Sequence, residues 1–273
     1  MLALGTAGVL AGCTADPAGT PSPVTSLPTL DSPSSTPTRT PSPSPHPRPS
    51  GTGHLGPIPG PNPGSPQVIS GGPTTARQIA LTIDDGYNPD VVAAYVEFAQ
   101  RSGIAITFSP NGTYQGIWNR HAKALRPLIA DGQVQIGNHT YTHLSIVRRS
   151  PTAVRADVER NDDWIRNTFG VTSRPYFRPP YGSHTARTDD LVAGLGYTKI
   201  LMWNGSFGDS TVQSPRTIMN LARRFLQPGV VMLGHANHDP IVPLLPMIED
   251  LIKSRDLHPV TLDRMFGTSR QSG

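Results

Sequence analysis

Gln78-Ile79-Ala80-Leu81-Thr82-Ile83-Asp84-Asp85-Gly86 is the stretch that decides the fold. Its apolar, β-branched run has the length and composition of a buried strand. It ends on two adjacent carboxylates and a glycine free to take the positive φ of a sharp turn. Downstream, similar short runs alternate with longer helical patterns. Strands are expected at 78–83, 105–108, 133–137, 175–177, 198–202, 230–233 and 259–261, and helices at 89–101, 118–131, 151–169, 185–194, 215–226 and 240–254. Several of these helices open on proline, whose missing N–H is harmless in the first turn. Such alternation predicts an α/β domain with a parallel sheet under helices, closed as a barrel or open.

Before this region the composition changes. Of the 30 prolines 17 precede residue 76, and the first aromatic residue is Tyr87. A stretch without aromatics, and with almost no charge beyond Asp16, Asp31, Arg39 and Arg48, buries too little apolar surface to offset the entropy of ordering. Residues 14–75 therefore read as a disordered Pro/Ser/Thr-rich linker, and residues 76–268 as a single domain carrying all the chemistry. The formal charge of +4 comes from scattered Lys and Arg rather than a basic run with interleaved aromatics, which argues against nucleic acid as a partner.

Residues 1–13 are apolar and too short to span a bilayer, as in an export signal, although no Lys or Arg precedes the apolar run. Leu10-Ala11-Gly12-Cys13 resembles a bacterial lipobox, and the only cysteine of the chain has no partner for an internal disulfide. Lipidation of Cys13 would tether the protein to a membrane, with the linker as a semi-extended stalk. A buried or incidental cysteine is the plainer alternative.

The polar residues fall at one end of the expected strands. Asp84 and Asp85 follow the first strand, His139 and His143 the third, Arg178 the fourth, Asp209 the fifth and His235 the sixth. In α/β barrels the strand C-termini form the catalytic rim, whereas incidental polar residues would scatter over both ends. Adjacent carboxylates repel unless a cation lies beside them, yet alone this pair would equally suit a solvated turn. His139-Thr140-Tyr141-Thr142-His143 sets two imidazoles four apart, as on one face of a helical turn, and with a carboxylate they make a metal ligand set with open positions. Arg178-Pro179-Pro180-Tyr181-Gly182 fixes an arginine in a stiff loop or is only a turn, and His235 emerges from an apolar strand or is a satisfied core histidine.

Taken in order, Thr82-Ile83-Asp84-Asp85-Gly86, His139-Thr140-Tyr141-Thr142-His143, Arg178-Pro179-Pro180-Tyr181-Gly182 and Leu233-Gly234-His235 resemble four of the five motifs of the polysaccharide deacetylases, the family 4 carbohydrate esterases. The resemblance implies a distorted (β/α)7 barrel. It also implies that Asp85, His139 and His143 hold one divalent metal ion, zinc first and cobalt, nickel or manganese as substitutes. By the same resemblance Asp84 is the general base, Arg178 orients it, the backbone N–H of Tyr181 helps to hold the oxyanion, His235 is the general acid, and Leu233 lines the acetyl-methyl pocket. The fifth motif departs: Asp209 is followed by Ser210 where the family has tryptophan. Asp209 is expected to tune His235, and the groove wall is left to Trp203 or to no residue.

The implied activity is hydrolysis of acetyl groups from a polysaccharide, foremost N-acetyl groups of peptidoglycan or a chitin-like glycan, and the protein is expected to be exported, as a cell-surface lipoprotein or secreted, and to act as a monomer. O-deacetylation of xylan or another acetylated polymer and a catalytically silent wall-binding lipoprotein are the competing expectations.

Overall fold

The computed structural model describes Leu55 and residues 57–268, all within the unit Pro45–Gly273. The expected signal segment 1–13, Cys13 and most of the expected linker lie outside the described residues. The strands are β1 (Gln67–Ile69), β2 (Gln78–Asp85), β3 (Ile106–Pro110), β4 (Val134–Ile136), β5 (Tyr176–Phe177), β6 (Lys199–Leu201), β7 (Gly205–Ser206), β8 (Val231–His235) and β9 (His258–Pro259). The α-helices are α1 (Pro89–Ser102), α2 (Gln115–Trp118), α3 (Ala122–Ala130), α4 (Pro151–Phe169), α5 (Ala186–Ala193), α6 (Pro215–Phe225), α7 (Leu245–Ser254) and α8 (Leu262–Phe266).

One sheet runs β4-β3-β2-β8-β7 with β9 on β2, the other β1-β6-β5, and the strands pair in parallel. A bridge from Asn138 to Phe177 joins β4 to β5. The chain leaving β6 re-enters the other sheet as β7 after three intervening residues. The ring is therefore a β/α barrel distorted where its fifth strand breaks between two sheets. Asp84 on β2 is level with Ser109 on β3 and His235 on β8, so the register gathers the ends of three strands at one rim.

Local sequence explains the helices that cover the barrel. Asn88 caps α1 by accepting from the amides of Asp90 and Val91, Pro89 starts the helix, and Gly103 ends it at φ 71°. Ser150 and Ser214 cap α4 and α6 in the same way, each followed by proline. Helix α1 buries Val91, Val92, Tyr95, Val96 and Phe98 in the same hydrophobic core as Ile79, Leu81 and Ile83 of β2. Each large apolar side chain buried there contributes about 1.5–3 kcal/mol to stability.

Three expectations are corrected. The linker does not extend to residue 75: β1 pairs with β6, Ile69 is buried, and Leu55 packs on the core. Three residues with two β-branched side chains suffice, because β6 offers an open edge. The helix expected at 118–131 is interrupted by a 3-10 turn at Asn119–His121 between α2 and α3. The helix expected at 240–254 begins as a 3-10 segment, Asp239–Leu244, and turns α-helical only at Leu245. Pro240, Pro243 and Pro246 lack the amide donors that an α-helical ladder needs there. Among the described residues no helix is long and apolar enough to cross a membrane.

Candidate active site

Asp84 and Asp85 are the last two residues of β2, not the first beyond it. Strand alternation would send adjacent side chains to opposite faces. Asp85 escapes this with φ 67°, so both carboxylates reach His139: its Nε2 lies 3.8 Å from Asp84 Oδ2 and 3.4 Å from Asp85 Oδ1. Gly86 follows at φ 108° with its Cα against the Trp118 indole, and Trp118 Nε1 donates 2.9 Å to the Asp85 carbonyl. A side chain at Gly86 would occupy the place of that indole.

The histidines converge by a route other than a helical turn. Residues 139–143 form a loop in which Thr140 and His143 both have positive φ, at 65° and 54°. The loop is locked from below. Asn138 Oδ1 accepts from the Thr140 amide, Asn111 Nδ2 donates to the carbonyls of His139 and Thr140, and Thr140 Oγ1 accepts from the His143 amide. The rings of His139 and His143 end 4.8 Å apart. Left-handed backbone at a residue with a side chain costs about 1–2 kcal/mol. Asp85, Thr140, His143 and Tyr181 all carry it, which concentrates strain at this rim.

The donor atoms of Asp85, His139 and His143 lie within 4.8 Å of one another. Asp85 Oδ1 is 3.4 Å from His139 Nε2 and 3.5 Å from His143 Nε2. Ligands about 2.0–2.2 Å from one centre at tetrahedral angles stand about 3.4 Å apart, so both separations from Asp85 match a zinc-sized ion. Two further observations agree. Asp84 Oδ1 and Asp85 Oδ1 are buried without a hydrogen-bond partner, a state that costs about 1–3 kcal/mol per atom unless a cation answers it. His139 Nδ1 lies 2.7 Å from the Arg178 carbonyl, which only accepts, so that nitrogen carries hydrogen and Nε2 keeps its lone pair for the cation.

Charges in the site are strongly coupled. Burial raises the pKa of Asp85, but His139, with His143 and His235 beyond it, outweighs burial and holds the carboxylate well below its usual range. Burial and the neighbouring His139 lower the pKa of His143, favouring the neutral form that binds metals. Arg178 is buried, with Nη1 3.2 Å from Asp84 Oδ2 and Nη2 2.9 Å from Thr82 Oγ1. His235 Nδ1 is 3.0 Å from Asp209 Oδ1, while the other oxygen of Asp209 accepts from the His235 amide. Burial lowers the pKa of His235, but the hydrogen bond and charge of Asp209, with Asp84 and Asp85, prevail and leave it raised.

The structure thus gathers Asp84, Asp85, His139, His143 and Arg178 through direct contacts, and brings His235 with Asp209 to the same rim. Tyr181 edges onto His143, ring centroids 4.6 Å apart, and is the most exposed of the group. Leu233 is buried on β8, level with Thr82. Trp203 lies under the Arg178 guanidinium, 5.4 Å from ring centroid to Cζ, and against Gly182. Sequence reasoning missed Asn237, whose Nδ2 donates 2.7 Å to Asp85 Oδ2 while its Oδ1 accepts from the amides of Gly86 and Tyr87. It also missed Asn111, Asn138 and Asn161, a buried chain beneath the histidine loop. The sequence signal for Asn111, Asn138 and Asn237 is an amide side chain just past an apolar strand, whereas Asn161 lies inside α4 and carries none.

Comparison with known proteins places this site in context. Residues 71–200 match the polysaccharide deacetylase family model. The peptidoglycan-N-acetylglucosamine deacetylase of Bacillus cereus is 24% identical over 204 residues, 73% of this chain and 72% of that protein. An uncharacterised 30.6 kDa protein of Geobacillus stearothermophilus is 23% identical over 60% of this chain, which spans 61% of its length. Among solved structures, the Bc1960 peptidoglycan N-acetylglucosamine deacetylase superposes with TM-score 0.66 at 24% identity, over 74% of this chain and 94% of that one. BA3943 of Bacillus anthracis, described as a family 4 pseudoenzyme, superposes with TM-score 0.65 at 18% identity, over 74% and 69%. With its four motifs assembled at one barrel rim, the chain matches the polysaccharide deacetylase family model over residues 71–200 and shares the fold of the solved deacetylase.

Proposed function

We propose that this protein hydrolyses N-acetyl groups of peptidoglycan or a chitin-like glycan, with one divalent ion, zinc foremost, held by Asp85, His139 and His143. The observation that carries the reading is the convergence of these three donors beside a fourth group, Asp84, whose free oxygen has no partner. Such an ion supplies Lewis acidity, lowering the pKa of water toward about 7 and polarising the acetyl carbonyl.

The side chains supply the rest. Asp84 accepts the proton of the attacking water, and Arg178, itself held by Thr82 Oγ1, fixes the orientation of its carboxylate from beneath. The amide of Tyr181, in a loop stiffened by Pro179 and Pro180, donates to the carbonyl oxygen as charge develops on it. His235, held by Asp209, gives its proton to the departing amine, and its raised pKa favours the protonated form that must donate. Leu233 forms the apolar floor for the acetyl methyl. The existence of a pseudoenzyme with this fold means that architecture alone does not guarantee turnover. The convergence of Asp84, Asp85, His139, His143 and His235 at one rim supports turnover here.

An exported protein anchored through Cys13 and acting as a monomer on wall polymer is part of the same reading; it is supported by the lipobox-like sequence, outside the described residues. Replacing His139 with alanine or Asp84 with asparagine in the zinc-loaded chain should reduce acetate release by at least about a hundredfold. Activity retained in both variants would refute the assignment.

A further inference from the structure

Resting on the proposed glycan activity, we propose that Tyr87, Tyr114 and His238 form a sugar-stacking subsite beside the ligand set, taking the pyranose next to the one that carries the acetyl group. Tyr87 is 43% exposed yet is held by Asn237, Tyr114 and His238. Its amide rests on Asn237 Oδ1, and its hydroxyl lies 3.1 Å from His238 Nε2. Its ring meets Tyr114 edge-on at 5.9 Å and His238 at 5.7 Å. The loop after β2 is laced to the loop after β8 by Asn88 Nδ2 donating 2.8 Å to Asp239 Oδ1 and by the Asn88 amide bonding to the Ala236 carbonyl.

None of this fixation is needed to keep an ordinary surface tyrosine folded. It is what a binding surface needs, because a ring already immobilised loses little entropy when a ligand arrives. Tyr87 lies two residues from Asp85, at most about 7 Å away along the chain. Asn237 touches both, bonding the Asp85 carboxylate and the Tyr87 amide. A sugar on Tyr87 is thus adjacent to one whose acetyl group meets the ligand set. The chemistry selects a neutral pyranose: an aromatic face suits the C–H face of the ring, and His238, Asn88 and Asp239 at its edge suit hydroxyls. No Lys or Arg belongs to this cluster, so a phosphate finds no partner in it.

The test is calorimetric binding of the β-1,4-linked N-acetylglucosamine tetramer to the zinc-loaded chain, with acetate release measured separately. Tyr87→Ala should weaken binding about fivefold to tenfold, the loss of about 1 kcal/mol of stacking. Tyr114→Ala should weaken it by a smaller factor, and Tyr87→Phe, which keeps the ring, should stay within about twofold of the unmodified chain. For acetate release the loss in Tyr87→Ala should fall on KM rather than kcat. Unchanged affinity in Tyr87→Ala, or no tetramer binding by the unmodified chain, overturns the subsite. Binding that responds to Tyr87 without any acetate release would keep the subsite and overturn the proposed activity.

Discussion

Replacing Asp209 with asparagine removes a negative charge while nearly preserving shape, and it isolates the role of the His235 pair. Asp209 is buried and contacts only one side of His235, through Nδ1 at 3.0 Å and the amide at 3.1 Å. Hydrogen bonds to a charged group contribute about 1.5–3 kcal/mol. Losing one from a protonated imidazole that must donate in the transition state costs roughly 10- to 100-fold in rate at neutral pH. The direction with pH follows from the balance of forces. Burial alone lowers the pKa of His235, and Asp209 is foremost among the groups that reverse this. Without that charge His235 releases its proton at lower pH, so the alkaline limb of the pH–rate profile moves toward acid. The assay is the pH dependence of kcat and kcat/KM for acetate release by the zinc-loaded enzyme. A uniform loss at every pH, or a limb that moves toward alkali, would refute the reasoning.

Further outcomes follow from the same contacts. Zinc at a hundredfold excess over its Kd should stabilise the chain by about 2.7 kcal/mol, raising Tm by roughly 5–10 °C in thermal melts, and Asp85→Ala should erase most of the rise. Gly86→Ala must displace the Trp118 indole and strain a residue at φ 108°; a loss of about 3 kcal/mol or more is expected, with Tm down by roughly 6–12 °C. A chain starting at residue 76 lacks β1 and exposes what Ile69 covers, so its Tm should lie about 5 °C below that of a chain starting at residue 57. Equal melting points would make β1 dispensable.

The strand and helix alternation was legible because each strand is short, apolar and bounded by clear breakers, and α4 spans the expected 151–169. The rim was legible because acids and histidines in a parallel barrel collect at strand C-termini, and those residues do collect there. What escaped is backbone geometry and buried amides. Two histidines four apart suggested a helical turn, whereas left-handed Thr140 and His143 bring the rings together in a loop. Nothing in spacing marks that, since the conformation is imposed by Asn138 and Asn111 from other elements. Strand β1 escaped because its Gln-Val-Ile lies in a proline-rich stretch and gains its stability from pairing with β6. Local composition cannot report a partner 132 residues away along the chain.

The account depends on metal-dependent acetate release, so the most direct measurement is that release from peptidoglycan, a chitooligosaccharide and acetylated xylan by the chain from residue 57 onward. Each substrate is taken with zinc, with a chelator, and with zinc restored after chelation. Release from the N-acetylated glycans that the chelator abolishes and zinc restores is the predicted result. Release indifferent to chelation, or none from any N-acetylated glycan with zinc bound, would contradict the account.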